Sequence, residues 1–333
     1  MKRTSIKDIA EKLNISTATV SLVLNGKYKE GRVSQSLAER IRITAEAMNY
    51  QPNTLARSLR MGNSQIIGLI LADISNHFFS SLAFHIQEEA EKLGYSVIIA
   101  NTNENDEKME TAINLFQNRQ VDGFIIIPTE GSQQQINTLI DKNIPLVLLD
   151  RYFPFVDASH VIIDNYKASL EATKLLIEQG CKRIALVTYK NVLPHILERK
   201  SGFMDAMAYA GLSDSQQIQE IRYTHIADDM NNCIRELIDS PTPIEAILFS
   251  TNTISQLGIK ALLKQGIVPQ EDIKIACFDK NEAFDFMPVH IPCVMQPVAE
   301  LGMNAVETLI QAIENRKKGV KEIVHIKLPT TIQ

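Results

Sequence analysis

The sequence predicts an α/β fold of two doubly wound parallel-sheet lobes, preceded by a small all-α head and a hinge helix. Three observations predict it. From Gln65 onward, short continuous apolar runs alternate with helical stretches, the pattern of parallel strands covered on both faces. The first fifty residues hold no such run and instead carry three short segments of helical periodicity separated by turn signals. The charge is also divided: the 333-residue chain totals −5, but residues 1–62 hold 11 Lys/Arg against 5 Asp/Glu, a balance of +6, and the rest holds 23 against 34, a balance of −11. A basic head on an acidic body favours phosphate contact by the head alone.

Taken in order, the first helix covers Ile6 to Leu13, with Ile9 and Leu13 on one face, and Asn14-Ile15 breaks it. Ser16 is the natural N-cap of a second helix that runs to Leu24 and points Val20, Val23 and Leu24 inward. Asn25-Gly26 stops it. The polar loop KYKEGR leads to Ser34, the next N-cap, and to a helix whose Leu37, Ile41, Ala45 and Met48 recur at helical spacing. Three helices with a tight turn between the first two form a helix-turn-helix unit. The run ISTATVSLVLN places Ser16, Thr17, Thr19 and Ser21 in one short helix, although Ser and Thr compete with a helix for its own hydrogen bonds. Such hydroxyls imply an external partner.

Pro52 disfavours helix at Gln51, Asn53 is placed to cap, and Thr54 to Arg60 is a mini-helix ending at Met61-Gly62; a helix this short is marginal alone in water. Beyond it, IIGLILADI, SVIIANT, FIIIPT and IPLVLLD read as strands separated by helices. After Asp164 the rhythm resumes with RIALVTY, EAILFST and IKIACFD, giving a second βα block. The expected division is a head over 1–50, a hinge over 51–63 and a body over 64–333. Within the body, the first lobe takes 64–163 plus 293–322 and the second 164–292 plus 323–333, with the long helix Val298 to Arg316 returning to the first.

Composition excludes several classes. The N-terminal residues carry charge and no apolar run of signal-peptide length, so the cytoplasm is expected and a membrane is not. Cys181, Cys233, Cys277 and Cys293 show no metal or CxxC spacing and read as buried thiols. There is no GxxxxGK[ST], no GxGxxG after a strand, no GxSxG and no HExxH, so neither a cofactor nor a metal is expected, nor an enzyme. His195 and His225 read as loop or surface residues. The C-terminal LPTTIQ carries no leucine heptads, which suits a homodimer over a tail-tethered tetramer.

The segments SIKDIAEKLNISTATVSLVLN, NYQPNTLARSLR, VDGFIIIP, IPLVLLDR and LPTTI together resemble the lactose-repressor (LacI/GalR) family of bacterial transcription regulators, over essentially the whole chain. The resemblance implies a homodimer that binds double-stranded operator DNA and changes its grip when a small molecule enters the body. Ser16, Thr19 and Ser21 would then meet phosphates, while Thr17, Ala18 and Leu22 occupy base-reading positions. Many relatives carry Arg or Lys at the last of these. Leu22 forfeits that bidentate guanine contact, worth ~1–3 kcal/mol, and either touches a thymine methyl or packs inward. Asn25, Ser34, Tyr50 and Asn53 belong to the same DNA-binding set. Leu59 would wedge into the minor groove, Ala56 would let paired hinge helices approach, and Arg60 would reach the groove. Lys27, Lys29 and Arg32 either add phosphate contacts or form a solvated charge run.

The body is also similar to periplasmic sugar-binding proteins, which implies an effector site at the strand ends. Asn76 offers hydrogen bonds, Phe78 and Phe79 offer stacking, and Asp150, Arg151, Arg199, Asn252, Asp279 and Gln296 offer polar groups suited to a polyol. His77 stands where Pro is frequent and Thr253 where Asp is. The two arginines lean toward a sugar acid, with a neutral sugar left open. Arg151 and Arg199 should hold Asp150 and Asp279 ionised, which suits binding better than catalysis. The implied function is a repressor governed by a small sugar or sugar acid. The alternative is a cytoplasmic sugar-binding protein or sugar-acting enzyme with no DNA role.

Overall fold

A computed structural model describes residues 4–50 and 63–333. The chain divides into two compact units at Ser64/Gln65.

In the head, α1 (Ile6–Leu13), α2 (Thr17–Leu24) and α3 (Gln35–Ala47) coincide with the periodic segments. Ser5 and Asp8 form a reciprocal capping box on α1, and Asn14 ends that helix in the left-handed conformation at φ 54°. Ser16 and Ser34 each accept a backbone N–H of their own first turn. Ile9, Ala10, Val20, Val23, Ala38, Ile41 and Ala45 make a small buried core from all three helices.

The body contains two six-stranded sheets. The first holds β1 (Ile66–Leu71), β2 (Ser96–Asn101), β3 (Gly123–Ile126), β4 (Leu146–Leu149), β5 (Ser159–Ile163) and β11 (His325–Leu328), in the order β11-β5-β4-β3-β1-β2 and parallel throughout. The second holds β6 (Ile184–Tyr189), β7 (Gln216–Ile221), β8 (Ala246–Phe249), β9 (Lys274–Phe278), β10 (Cys293–Met295) and β12 (Thr331–Ile332), in the order β12-β10-β9-β8-β6-β7. All pairs are parallel there except β10 with β12. Central strands are buried on both faces, which is why they read as unbroken apolar runs.

The helices that position the site are α4 (His77–Lys92), α5 (Asp106–Asn118), α6 (Gln133–Asp141), α7 (Asn165–Glu178), α8 (Pro194–Tyr209), α9 (Ile226–Ile238), α10 (Asn252–Lys264) and α11 (Val298–Lys317). At Gly202 a Cβ would lie 2.2 Å from the Tyr166 carbonyl, so only glycine permits so close a crossing of α7 and α8. That crossing brings Arg199 beside Asn165. All four cysteines are buried and free. Among the described residues no helix is long and apolar enough to cross a membrane.

Two lobe assignments differ from the sequence reading. β10 pairs with β9 in the second sheet, and β11 pairs with β5 in the first. The chain therefore crosses between lobes at 296–297 and again at 329–330, not at 292/293 and 322/323. Short apolar segments beside a crossing carry no signal about which sheet will accept them.

Candidate functional sites in the head and the interlobe cleft

At the start of α2, Ser16, Thr17 and Ala18 are exposed. Ser16 Oγ accepts the Thr19 N–H at 3.1 Å and pairs with Thr19 Oγ1 at 2.8 Å, so both hydroxyls already serve the cap. The Asn25 side-chain amide donates to the Ser21 carbonyl at 2.7 Å and to its hydroxyl at 3.2 Å, closing the other end. Thr17 and Ala18 are left as the outward side chains of the first turn. Leu22 is half-buried over Gly31, where a Cβ would meet its Cδ1 at 2.5 Å. It clamps the following loop as well as facing outward, an alternative to both readings of the sequence. Ser34 caps α3 through the Leu37 N–H at 3.3 Å. Tyr50 packs half-buried on the head core, where burial raises its phenol pKa. Lys27 pairs with Glu30 at 3.9 Å on the surface. Asn53, Ala56, Leu59 and Arg60 lie outside the described residues.

In the body, all nine residues expected around an effector line one interlobe cleft. Asp150 follows β4 and Asp279 follows β9, and both are left-handed at φ 66° and 63°. Each keeps its N–H on the neighbouring strand, Asp150 on the Val161 carbonyl and Asp279 on the Val294 carbonyl, both at 2.9 Å. A non-glycine residue in this region is strained, and here the strain aims a carboxylate inward at the end of each sheet. Neither aspartate is a helix cap; that role falls to Asp164.

Arg151 makes a bidentate pair with Glu104, Nη1 to Oε2 at 2.8 Å and Nη2 to Oε1 at 2.6 Å, and lies 3.5 Å from Asp150. Its guanidinium stands 5.7 Å from the centre of the Phe79 ring, and Phe78 and Phe79 meet edge-on. Arg199 donates to Asn165 Oδ1 at 2.9 Å and to the Ser250 carbonyl at 2.5 Å, and lies 4.1 Å over Phe278. Gln296 donates to Asp279 at 2.9 Å. Asn76 caps α4 and also reaches across the cleft, its amide donating to Thr253 Oγ1 at 3.1 Å.

Burial raises the pKa of Asp150 despite both guanidiniums, and burial raises Asp279 to about 6 although Arg199 and Gln296 oppose it. Desolvation thus outweighs the arginines in the direction of both shifts, while Asp279, at about 6, is still mostly ionised at neutral pH, as the sequence reading expects. Arg151 is also penalised by burial, but Glu104 and Asp150 more than compensate and its pKa rises. Burial lowers Arg199. His195, in the first turn of α8, is 5% exposed and held neutral by burial and by the two arginines, so it is a cleft residue and not the surface residue expected. His225 is exposed as expected. Four buried polar atoms facing this region have no hydrogen-bond partner: Arg151 Nε, His195 Nδ1, Asn252 Nδ2 and Gln296 Oε1.

Residues 5–53 match the profile of bacterial regulatory proteins of the lacI family, and residues 64–331 match that of periplasmic binding proteins and the sugar binding domain of the LacI family. The chain belongs to the LacI family. It is a DNA-binding transcriptional regulator with an effector-binding core. The ribose operon repressor of Halalkalibacterium halodurans is 31% identical over 316 residues, 94% of this chain and 91% of the relative. The transcriptional repressor CytR of Escherichia coli K12 is 28% identical over 319 residues, 95% and 91% of the two chains. The Lac repressor dimer bound to operator and the anti-inducer ONPF superposes with a TM-score of 0.85 at 20% identity, covering 99% of this chain and 98% of that one, a likeness of fold.

The LacI-family cleft also contains residues that sequence reasoning missed: Asp73, Glu104, Tyr189, His195, Tyr223 and Thr251, with Thr253 noted only as a departure. Asp73, Tyr189 and Thr251 end β1, β6 and β8, or follow those strands closely, so the rule that ligands bind at carboxyl ends of strands could have found them. Tyr223 follows β7 as closely, but that strand has no apolar run to announce it, and Glu104 lies in a polar turn that nothing local marks.

Proposed function

We propose that this LacI-family chain is a cytoplasmic, homodimeric repressor without catalytic role, whose affinity for its operator is set by a neutral monosaccharide in the interlobe cleft. The observation that carries the reading is the set of polar atoms in the cleft that lack a hydrogen-bond partner: a donor on Asn252, an acceptor on Gln296 and one imidazole nitrogen on His195, with Phe78 and Phe79 lining the same cleft. Hydroxyls that both donate and accept suit such a mixture, and an apolar ring face suits the phenylalanines.

The charge count favours the neutral member of the pair that the sequence leaves open. Four carboxyl groups, Asp73, Glu104, Asp150 and Asp279, line the cleft against two guanidiniums, and Arg151 is already paired with Glu104, so a carboxylate on the ligand would add to an acidic excess. Relatives that are ribose operon repressors support a pentose as the first candidate. For the head, exposed Thr17 and Ala18 with Leu22 read bases, while Ser16, Thr19, Ser21, Asn25, Ser34 and Tyr50 hold the helices and approach phosphates. Exposed apolar side chains, Ile74 and Phe84 on the first lobe and Leu263 and Phe286 on the second, support a dimer. Coupling between ligand and operator is reciprocal and of the order of ~1–3 kcal/mol.

Isothermal titration with D-ribose, D-glucose and a purine nucleoside, followed by salt-dependent operator binding with and without the sugar that binds, tests the reading. Binding of the nucleoside alone, or operator affinity indifferent to the bound sugar, overturns it.

A further inference from the structure

The geometry points to Glu104 as the residue that sets charge selectivity in the cleft, excluding anionic sugars by occupying both Nη atoms of Arg151 and adding its own negative charge to the ligand space. The inference rests on the sugar reading above. It starts from the backbone. Asn103 and Glu104 are consecutive non-glycine residues with left-handed φ of 51° and 56°, directly after β2. Two such residues in a row are costly and persist only where the surroundings enforce them. The enforcement is visible: Thr102 is fully buried and fastened to the Leu71 carbonyl through its N–H at 2.9 Å, and Asn105 caps α5. The turn between these anchors delivers a glutamate that lines the cleft.

What Glu104 does there follows from the ion pair. A guanidinium recognises an anion best by presenting two parallel N–H groups to it. In Arg151 both terminal nitrogens are engaged by Glu104, and Nη1 also reaches the Pro128 carbonyl at 3.2 Å. The edge nitrogen Nε has no hydrogen bond but lies 3.5 Å from Asp150 Oδ2, so both edges of the guanidinium are turned toward the chain's own carboxylates. Meanwhile the Glu104 charge is felt on the far wall, where it helps burial raise the phenol pKa of Tyr189 and Tyr223. A ligand carboxylate entering between them loses the bidentate site and meets like charge in a partly desolvated space.

The test compares two matched pairs, D-ribose with D-ribonate and D-glucose with D-glucuronate, by isothermal titration of the full-length wild type, E104Q and E104D. The readout is the ratio of anionic to neutral affinity within each pair, with thermal melting to confirm that each variant is folded. Wild type and E104D should both reject the anion, because both keep the charge. E104Q should raise the ratio by about tenfold or more, the size of one like-charge contact removed. An unchanged ratio in E104Q, an E104D that behaves like E104Q, or a wild type that prefers the anion overturns the assignment. A wild type that binds neither member of either pair overturns the sugar reading itself, and this assignment with it.

Discussion

The two lobes present an aspartate to the cleft by the same backbone device and leave it in different company. In the first lobe, Asp150 stands beside Arg151, and Glu104 completes a three-member ion network. In the second, Asp279 has a neutral amide, Gln296, as its hydrogen-bond partner, and Arg199 acts on it only through space. The pseudo-symmetric fold thus supplies position, and the neighbours decide charge. One wall of the cleft is an electrostatic lattice and the other titrates.

The comparison predicts unequal costs for losing the two guanidiniums. Arg151→Met leaves Glu104 and buried Asp150 without their shared ion-pair partner, with only Arg199 acting on Asp150 through space, and should cost about 3–5 kcal/mol of unfolding free energy. Arg199→Met strands the Asn165 and Ser250 acceptors but lets Asp279 take up a proton, so about 1–3 kcal/mol is expected. Urea denaturation at constant slope measures both. An Arg199 variant less stable than the Arg151 variant would reverse the assignment of lattice and titrating walls.

The titrating wall makes a pH prediction. The folded pKa of Asp279, about 6, lies above that of an ordinary carboxyl, so the proton is held more tightly in the folded state. The stability this gives is present at acid pH and is lost as pH rises through about 6. A sugar hydroxyl that donates to the ionised carboxylate works in the opposite sense: effector binding should strengthen by about tenfold between pH 5 and 7, one pK unit of linkage, with proton release. Asp150, also raised by burial, and His77 both act on Asp279 through space, and Asp73, Glu104 and His195 share the cleft. Asp279→Asn should flatten the profile. A wild-type affinity constant across this range, or a slope kept in the variant, would remove Asp279 from the ligand's contacts.

How far the sequence carried this reading differs between the two regions as well. Helix limits in the head were legible because caps and breakers sit at their ends: Ser16, Ser34 and Asn14 each do in the fold what their chemistry suggests. Eight of the nine cleft residues were legible because each follows a strand or opens a helix; Arg199, in the second turn of α8, was not marked in that way. Glu104 was not, since its role comes from an Arg151 partner 47 residues away and from a double left-handed turn that no residue type announces. β7, with the sequence QQIQEI, escaped because an edge strand is only half-buried and lacks the apolar run. His195 looked like a surface residue because nothing near it in sequence reveals that α8 begins inside the cleft.

The smallest predicted effect concerns the contact that joins the walls. The Asn76 amide of the first lobe donates to Thr253 of the second at 3.1 Å. On the other side of the cleft, the Tyr152 hydroxyl donates to Glu198 at 3.0 Å and the Val192 N–H donates to Glu130 at 3.1 Å, so closure does not depend on one bond. Asn76→Ala also removes the cap of α4, through which Oδ1 receives the Phe78 N–H, and confounds latch with helix stability. A double-mutant cycle with Thr253→Ala isolates the latch, because the cap term cancels. If the bond forms only when the lobes close on the effector, the coupling is about 1 kcal/mol in effector binding, one neutral hydrogen bond, and near zero in the unfolding free energy of the effector-free protein, whose open native state has no such bond to lose. A coupling of equal size in both measurements would make Asn76–Thr253 a structural tie; its absence from binding would mean that the ligand, and not this bond, holds the lobes together.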